Sequence, residues 1–399
     1  MATVKPFKAI RPHGELASQI AALPYDVYTR ESAKKAVAGR PLSFLNIDRP
    51  ETQFAPSFDM YSDEAYETAK KLLEFEVAAG SFIQDEKPCY YIYELTMDGR
   101  AQTGLVGCAS IDNYNHGIVK KHENTLAEKE LDRIRHIRTI GAQTGPIFLA
   151  YRDNADANAV IGKIKSIAPI YDFTSEDGIG HRVWIIDDDN DISNLEKIFA
   201  SIDALYIADG HHRAASACKV GSTDGGFMAV IFPKSQLKIM AYNRAVKDLN
   251  GLTKEEFLKK VSEVCEVKSD AAPLRKAAGM VNMYLDGKWY ELTFAEADKE
   301  CGDPVKSLDV SLLQDKILEP ILGITDPRTN PRVKFIGGIL GDKELIRLVD
   351  DEDYAVSFSM YPTQMDELLS VADAGLLMPP KSTWFEPKLR SGLFIHRID

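Results

Sequence analysis

The chain has 399 residues, 45% apolar and 27% charged, proportions of a globular protein that exclude disorder as the main state. Its 48 Lys and Arg stand against 60 Asp and Glu, a formal charge of −12, which argues against a surface built for duplex nucleic acid and leaves room only for a local basic pocket. The five cysteines are odd in number and never spaced Cys-x-x-Cys, so neither a disulfide framework nor a zinc ribbon is indicated.

The N-terminal MATVKPFKAIRPHGEL lacks an apolar core with a cleavage site, and no stretch approaches a membrane span of roughly 18 apolar residues. A complete cytoplasmic protein without a membrane partner is expected. In chain order, a helical pattern over 62–79 precedes two strands, Tyr90-Tyr91-Ile92-Tyr93-Glu94-Leu95 and Gly104-Leu105-Val106-Gly107-Cys108-Ala109. Asp98-Gly99 between them supplies the positive φ of a tight hairpin. Helices are predicted over 125–142, 155–167, 191–201 and 211–219, and strands at Pro146–Tyr151, Val183–Ile186, Ala204–Ala208, Phe227–Phe232 and Leu237–Tyr242.

Past Asn243-Arg244 a new series begins: a helix over 253–262, a hairpin around Asp286-Gly287, and helices near 308–319, 341–349 and 363–373. The fold class is mixed α/β, with hairpins preventing a purely parallel doubly wound sheet. Two domains in close contact are expected, 1–245 and a smaller 246–399, with 296–306 as the other candidate boundary.

The most informative segment runs from Ala204 through Asp209-Gly210-His211-His212-Arg213 to Ala217, an apolar strand opening at once into an Ala-rich helix. The positive end of the helix dipole disfavours cations there. Two histidines and an arginine in that first turn make sense where an anion, most often phosphate, occupies the free N–H groups. Gly210 lets the backbone approach that anion. The plainer alternative is that Asp209 caps the helix and the histidines bond nearby carbonyls.

A second polar cluster, Lys120 to Arg133, includes Lys121, His122, Glu123 and Asn124 just before a helix, for which Thr125 and Glu128 read as a capping box. Glu123, surrounded by cations, is a candidate general base; a solvated charged loop is the alternative. Near the C-terminus, Pro379, Pro380 and Pro387 stiffen a loop on which Lys381, Ser382 and Thr383 suit a phosphate contact and Trp384 and Phe385 a stacking surface. The same residues equally suit a loop that plugs the core. Leu23-Pro24-Tyr25-Asp26-Val27 reads as an Asx-turn, Ala241–Arg244 as a polar strand end, and Cys218 as core.

At these residues the chain resembles the bacterial family of domain of unknown function 1015, end to end, through PFKAIRP, LPYDV, SFLNIDRPE, KHENTLAEKELDR, PIFLAY, ADGHHRAASA, YNRAVKDLNGL and MPPKSTWFEPKLRSGL. At motif level, Asp209 to Arg213 is similar to the Gly-x-His-Arg phosphate motif of the sulfiredoxin and ParB-type superfamily, which includes nucleotide-dependent free-serine kinases. The resemblance implies a ParB/sulfiredoxin-like nucleotide-binding core in 1–245. Where sulfiredoxins carry a cysteine this chain has His211, so repair of oxidised cysteine is not implied.

The function expected is a nucleotide-dependent phosphotransferase, using ATP or ADP or another nucleotide with Mg²⁺, on a small polar metabolite such as a free hydroxy amino acid. Gly210, His212, Arg213, Lys381, Ser382 and Thr383 would hold the nucleotide. Glu123, Asp209 and His211 would carry the chemistry, with Asp209 on the metal. The alternative is a nucleotide or phosphometabolite sensor without turnover. A metal hydrolase built on His211, His212 and Asp209 lacks a third ligand at recognisable spacing. A homodimer is compatible with this reading.

Overall fold

The computed structural model describes residues 1–269 and 277–399. They form two compact units, Met1–Leu237 with Pro387–Asp399, and Lys238–Glu386. The chain thus leaves unit 1 and returns to it, whereas the expected second domain ran without a break from 246 to 399.

Unit 1 is built on a mixed nine-stranded sheet. From one edge the strands are Val119–Lys120, Leu205–Asp209, Ile147–Tyr151, Gly226–Pro233, Arg100–Ser110, Tyr90–Met97, Gly180–Ile186 and Tyr171–Thr174, with Val4–Lys5 also on Arg100–Ser110. Two pairings are parallel, Leu205–Asp209 with Val119–Lys120 and Gly226–Pro233 with Ile147–Tyr151. The predicted hairpin forms as expected, with Met97 opposite Arg100 and positive φ at Asp98 and Gly99, the type I′ geometry whose twist matches the strands. Ile92, Leu149, Leu205 and Ile231 of the sheet pack with Ile161, Leu195, Phe199 and Ala214 of the helices in one apolar core. A second core holds Phe44, Leu45 and Ile47 against Leu73, Phe82 and Ile140.

Unit 2 carries an antiparallel six-stranded sheet in the order Glu266–Ser269, Lys288–Thr293, Met280–Leu285, Val356–Met360, Tyr242–Val246, Val333–Gly337. The single strand expected over Leu237–Tyr242 is instead divided. Ile239–Met240 pairs with Trp384–Phe385, and Tyr242–Val246 enters the six-stranded sheet. An apolar run records burial but not which partner each half will meet. The helix expected over 308–319 forms as Asp309–Leu313 and then widens into a π turn, Gln314–Leu318.

Candidate functional site

The Leu205–Asp209 strand ends at Asp209, Gly210 follows at φ +91°, and the His211–Val220 helix begins. Among the described residues no side chain caps this helix, and its first turn holds no acid, an arrangement in which a helix start can receive an anion. A Cβ on Gly210 would stand 3.0 Å from the Arg213 guanidinium. Glycine is therefore required twice, for the backbone angle and for the passage of Arg213 across it.

Asp209 ties this turn to the C-terminal segment. Its Oδ1 accepts the Gly210 N–H at 2.8 Å, and Oδ2 pairs with Lys388 Nζ at 3.1 Å. Burial alone would raise this carboxyl, but Lys388 and Arg213 outweigh it and hold Asp209 well below the usual carboxylate range.

His211 is buried, and its Nε2 accepts the His122 backbone N–H at 3.4 Å. That assignment leaves the ring proton on Nδ1, 3.7 Å from Glu123 Oε2. Burial, reinforced by His122, lowers His211 well below its ordinary value, so the ring is neutral at pH 7. The His122 ring meets it edge-on at 4.4 Å and is pushed down to about 4 by burial. Glu123 keeps more than half of its side chain exposed at 56%, so it reaches both solvent and the imidazole.

His212 has a different partner. Its Nε2 accepts the Leu126 N–H at 2.9 Å and so closes the start of the Ala127–Ile140 helix. The capping box expected from Thr125 and Glu128 does not form. The helix starts two residues later than the pattern places it, and Thr125 donates to Glu130 at 2.9 Å instead.

Arg213 folds back across Gly210 and lines a narrow cavity of about 30 Å³, and its Nη1 donates to the Pro146 carbonyl at 2.5 Å. Tyr25, Asp48, Arg133 and His136 line both this cavity and an outer cleft of about 290 Å³. Arg133 lies 3.9 Å over the Tyr25 ring and pairs with Asp132 at 2.7 Å. Buried Asp48 accepts Thr144 Oγ1 at 2.9 Å. Buried Arg49 pairs with Glu51 at 2.5 Å and donates to the carbonyls of Tyr25 and Tyr28. Burial pushes the Tyr25 phenol up to about 12 and His136 down to about 4, so both are neutral. The inner cavity therefore sets one carboxylate, Asp48, against two guanidiniums, Arg133 and Arg213.

A wider hollow of about 580 Å³ lies elsewhere in unit 1, but its charges are matched within it, Arg390 by Asp177 and Arg40 by Glu176. Unit 1 thus brings together Glu123, Asp209, Gly210, His211, His212 and Arg213. Lys381, Ser382 and Thr383 belong to unit 2. From the same proline-rich segment it is Lys388 that reaches Asp209. Sequence reasoning placed His122 in the second polar cluster but missed Lys388, Tyr25, Asp48 and Arg133 as site residues. The usable sign was chemical, since LPYDV and SFLNIDRPE carry charged residues beside apolar ones.

Residues 4–311 match the family model described as Protein of unknown function (DUF1015). The chain belongs to this family. No curated protein matches it. Among solved structures it is similar to a mutant free serine kinase in complex with AMP, at 16% identity and a TM-score of 0.36 over 71% of this chain and 90% of that one. C-terminally truncated SbnI from Staphylococcus aureus aligns at 11% identity and a TM-score of 0.40 over 73% and 87%. A conserved hypothetical protein from Pyrococcus furiosus aligns at 14% identity and a TM-score of 0.35 over 72% and 93%. Likeness at this level assigns no role to any residue here. Among the described residues no helix is long and apolar enough to cross a membrane.

Proposed function

We propose that the protein is a nucleotide-dependent phosphotransferase acting on a small polar metabolite. The observation that carries this reading is the uncapped start of the His211–Val220 helix behind Gly210, with Arg213 standing between it and a charged cleft. Phosphate oxygens meet the leading N–H groups and Arg213, since phosphoryl transfer asks mainly for positioning and charge neutralisation. The 290 Å³ cleft is at the small end of ligand pockets, about 300–1,000 Å³, and takes the acceptor. Arg133 suits an acceptor carboxylate and Asp48 an ammonium or hydroxyl, the pattern of a zwitterionic hydroxy amino acid.

Glu123, half-exposed beside neutral His211, is the base that takes the acceptor hydroxyl proton. Asp209, held ionised by Lys388 and Arg213, fits the hard oxygen donor set of Mg²⁺, which would neutralise phosphate charge when bound. Its other contact, Lys388, would serve the same phosphates. His212, engaged by Leu126, braces the two helices rather than holding nucleotide through Nε2.

The test is a screen of ATP, ADP, AMP and CTP by thermal shift, then mass analysis of products with small hydroxylated metabolites. A nucleotide that raises the midpoint and phosphorylates an acceptor supports the reading. Saturable binding without turnover under every acceptor favours a sensor. No nucleotide response at all removes the reading.

A further inference from the structure

We propose that Cys108, Asp224 and His396 form a site for a divalent transition metal of the zinc class, which clamps the C-terminal segment to the central sheet. The three residues come from separate parts of unit 1. Cys108 lies in the Arg100–Ser110 strand, Asp224 in the turn opening Gly226–Pro233, and His396 in the His396–Arg397 strand. One donor atom of each lies within 4.8 Å of the other two, and His396 Nε2 is 2.9 Å from Asp224 Oδ2. Zinc bonds of about 2.0–2.3 Å place donors roughly 3.3–3.8 Å apart, so small side-chain rotations complete the set without moving the strands.

Packing alone does not account for the cluster. His396 is 4% exposed and its Nδ1 is buried with no hydrogen-bond partner among the described residues. That nitrogen is open to hold the ring proton when Nε2 turns to a metal. Asp224 is already oriented through Oδ1 by the Ser222 hydroxyl at 2.8 Å and the Gly226 N–H at 2.9 Å, the kind of outer hydrogen bonding that fixes a ligating carboxylate.

Cys108 is buried and would enter the set as a thiolate, its proton displaced by the ion. Asp224, with 40% of its side chain exposed, gives the ion a route from solvent and leaves a fourth position for water. On binding, Nε2 and the thiolate become ligands, the imidazole proton moves to Nδ1, and the Cys108 proton leaves to solvent. A thiolate, an imidazole and a carboxylate suit Zn²⁺ and exclude Mg²⁺ as the preferred ion.

Full-length protein stripped of metal is titrated with Co²⁺. The expected result is a thiolate-to-cobalt charge-transfer band saturating at one ion per chain, bleached by Zn²⁺, with a rise in thermal midpoint. Cys108→Ala is expected to remove the band. Asp224→Asn, at an accessible position, is expected to weaken Co²⁺ binding at least tenfold in protein whose circular dichroism matches the parent. Absence of the band in the parent, or an equal band in folded Cys108→Ala protein, overturns the site. Unchanged affinity in Asp224→Asn does so as well. The outcome is independent of any nucleotide result.

Discussion

Two segments carry phosphate-friendly residues, one in each unit, and they use their polar groups in opposite ways. In unit 1 the helix after Gly210 keeps its leading N–H groups uncapped, and Arg213 is turned toward a cavity. In unit 2 the Ser382 hydroxyl donates to the Pro379 carbonyl at 2.5 Å, and the Ser382 carbonyl accepts from Thr363 at 2.9 Å. The Lys381 carbonyl accepts from buried Arg244 at 3.3 Å, while its ammonium stands 5.6 Å over the Tyr242 ring. Residue type states what a group can bond. Only the local backbone decides whether that capacity is used within its own loop or left for a ligand.

The units also differ in their buried titratable groups, which gives the widest expected effect. All eight histidines lie in unit 1, and burial pushes His122 and His136 down to about 4. The folded state then binds fewer protons than the unfolded one between pH 6.5 and about 4, so unit 1 loses stability as pH falls through that window. The slope approaches about 1.4 kcal/mol per pH unit for each such histidine. Asp309 in unit 2 behaves oppositely, since burial raises it to about 7. Its contribution is full at low pH and is lost as pH rises through 7. Amide exchange of Leu205–Asp209 against Met280–Leu285 across pH 4.5 to 8, roughly the range in which native structure is held, should show protection moving in opposite directions. Parallel changes would break the contrast, and Asp309→Asn should flatten the response of unit 2 alone.

Next in size, Glu123→Gln is expected to lower turnover by about 10²-fold or more while leaving nucleotide affinity within a few fold, the scale of a lost general base. Full turnover in this variant with none in Asp209→Asn would exchange the two roles. Arg213→Ala is expected to weaken nucleotide binding by about 1.5–3 kcal/mol in calorimetry, the range of a charge-assisted hydrogen bond. Arg213→Lys should be impaired too, because a point charge does not replace a planar fork. The smallest effects belong to unit 2. Ser382→Ala should cost about 1 kcal/mol of urea stability, and Lys381→Ala should change nucleotide affinity by less than about threefold, the scale of a weak surface contact. A tenfold loss in Lys381→Ala would show that this loop keeps a donor for ligand after all.

Much of the fold was legible because periodicity and turn chemistry are local. Asp98-Gly99 and Asp286-Gly287 both adopt the positive φ pair their sequence calls for, and most expected helices lie within a few residues of the observed ones, as at Asp63–Ala78 and Lys254–Ser262. The helix start at His211 was legible for the same reason. What escaped was set by contacts distant in sequence. Lys388 meets Asp209 across 179 positions and Thr144 meets Asp48 across 96. Tyr25 looked like part of a turn because its value lies in what stacks on it, Arg133. His212 looked like a phosphate ligand because the N–H that donates to it, that of Leu126, stands at the start of another helix.

The return of the last thirteen residues to unit 1 fixes an order of events during synthesis. Their strand pairs with Ala142–Gln143, Ile395 bridges to Ile10, and Ser391 to Ala22, so these seams close only after the ribosome has passed residue 386. Unit 2 is by then entirely made, while unit 1 still lacks the ammonium that sits on Asp209 and one wall of the inner cavity, Ser391. A nascent chain halted within unit 2 therefore presents the Gly210 turn with Arg213 beside its buried carboxylate but without Lys388. A chain cut short before Lys388 thus keeps the Asp209–Arg213 motif and lacks part of its electrostatic frame.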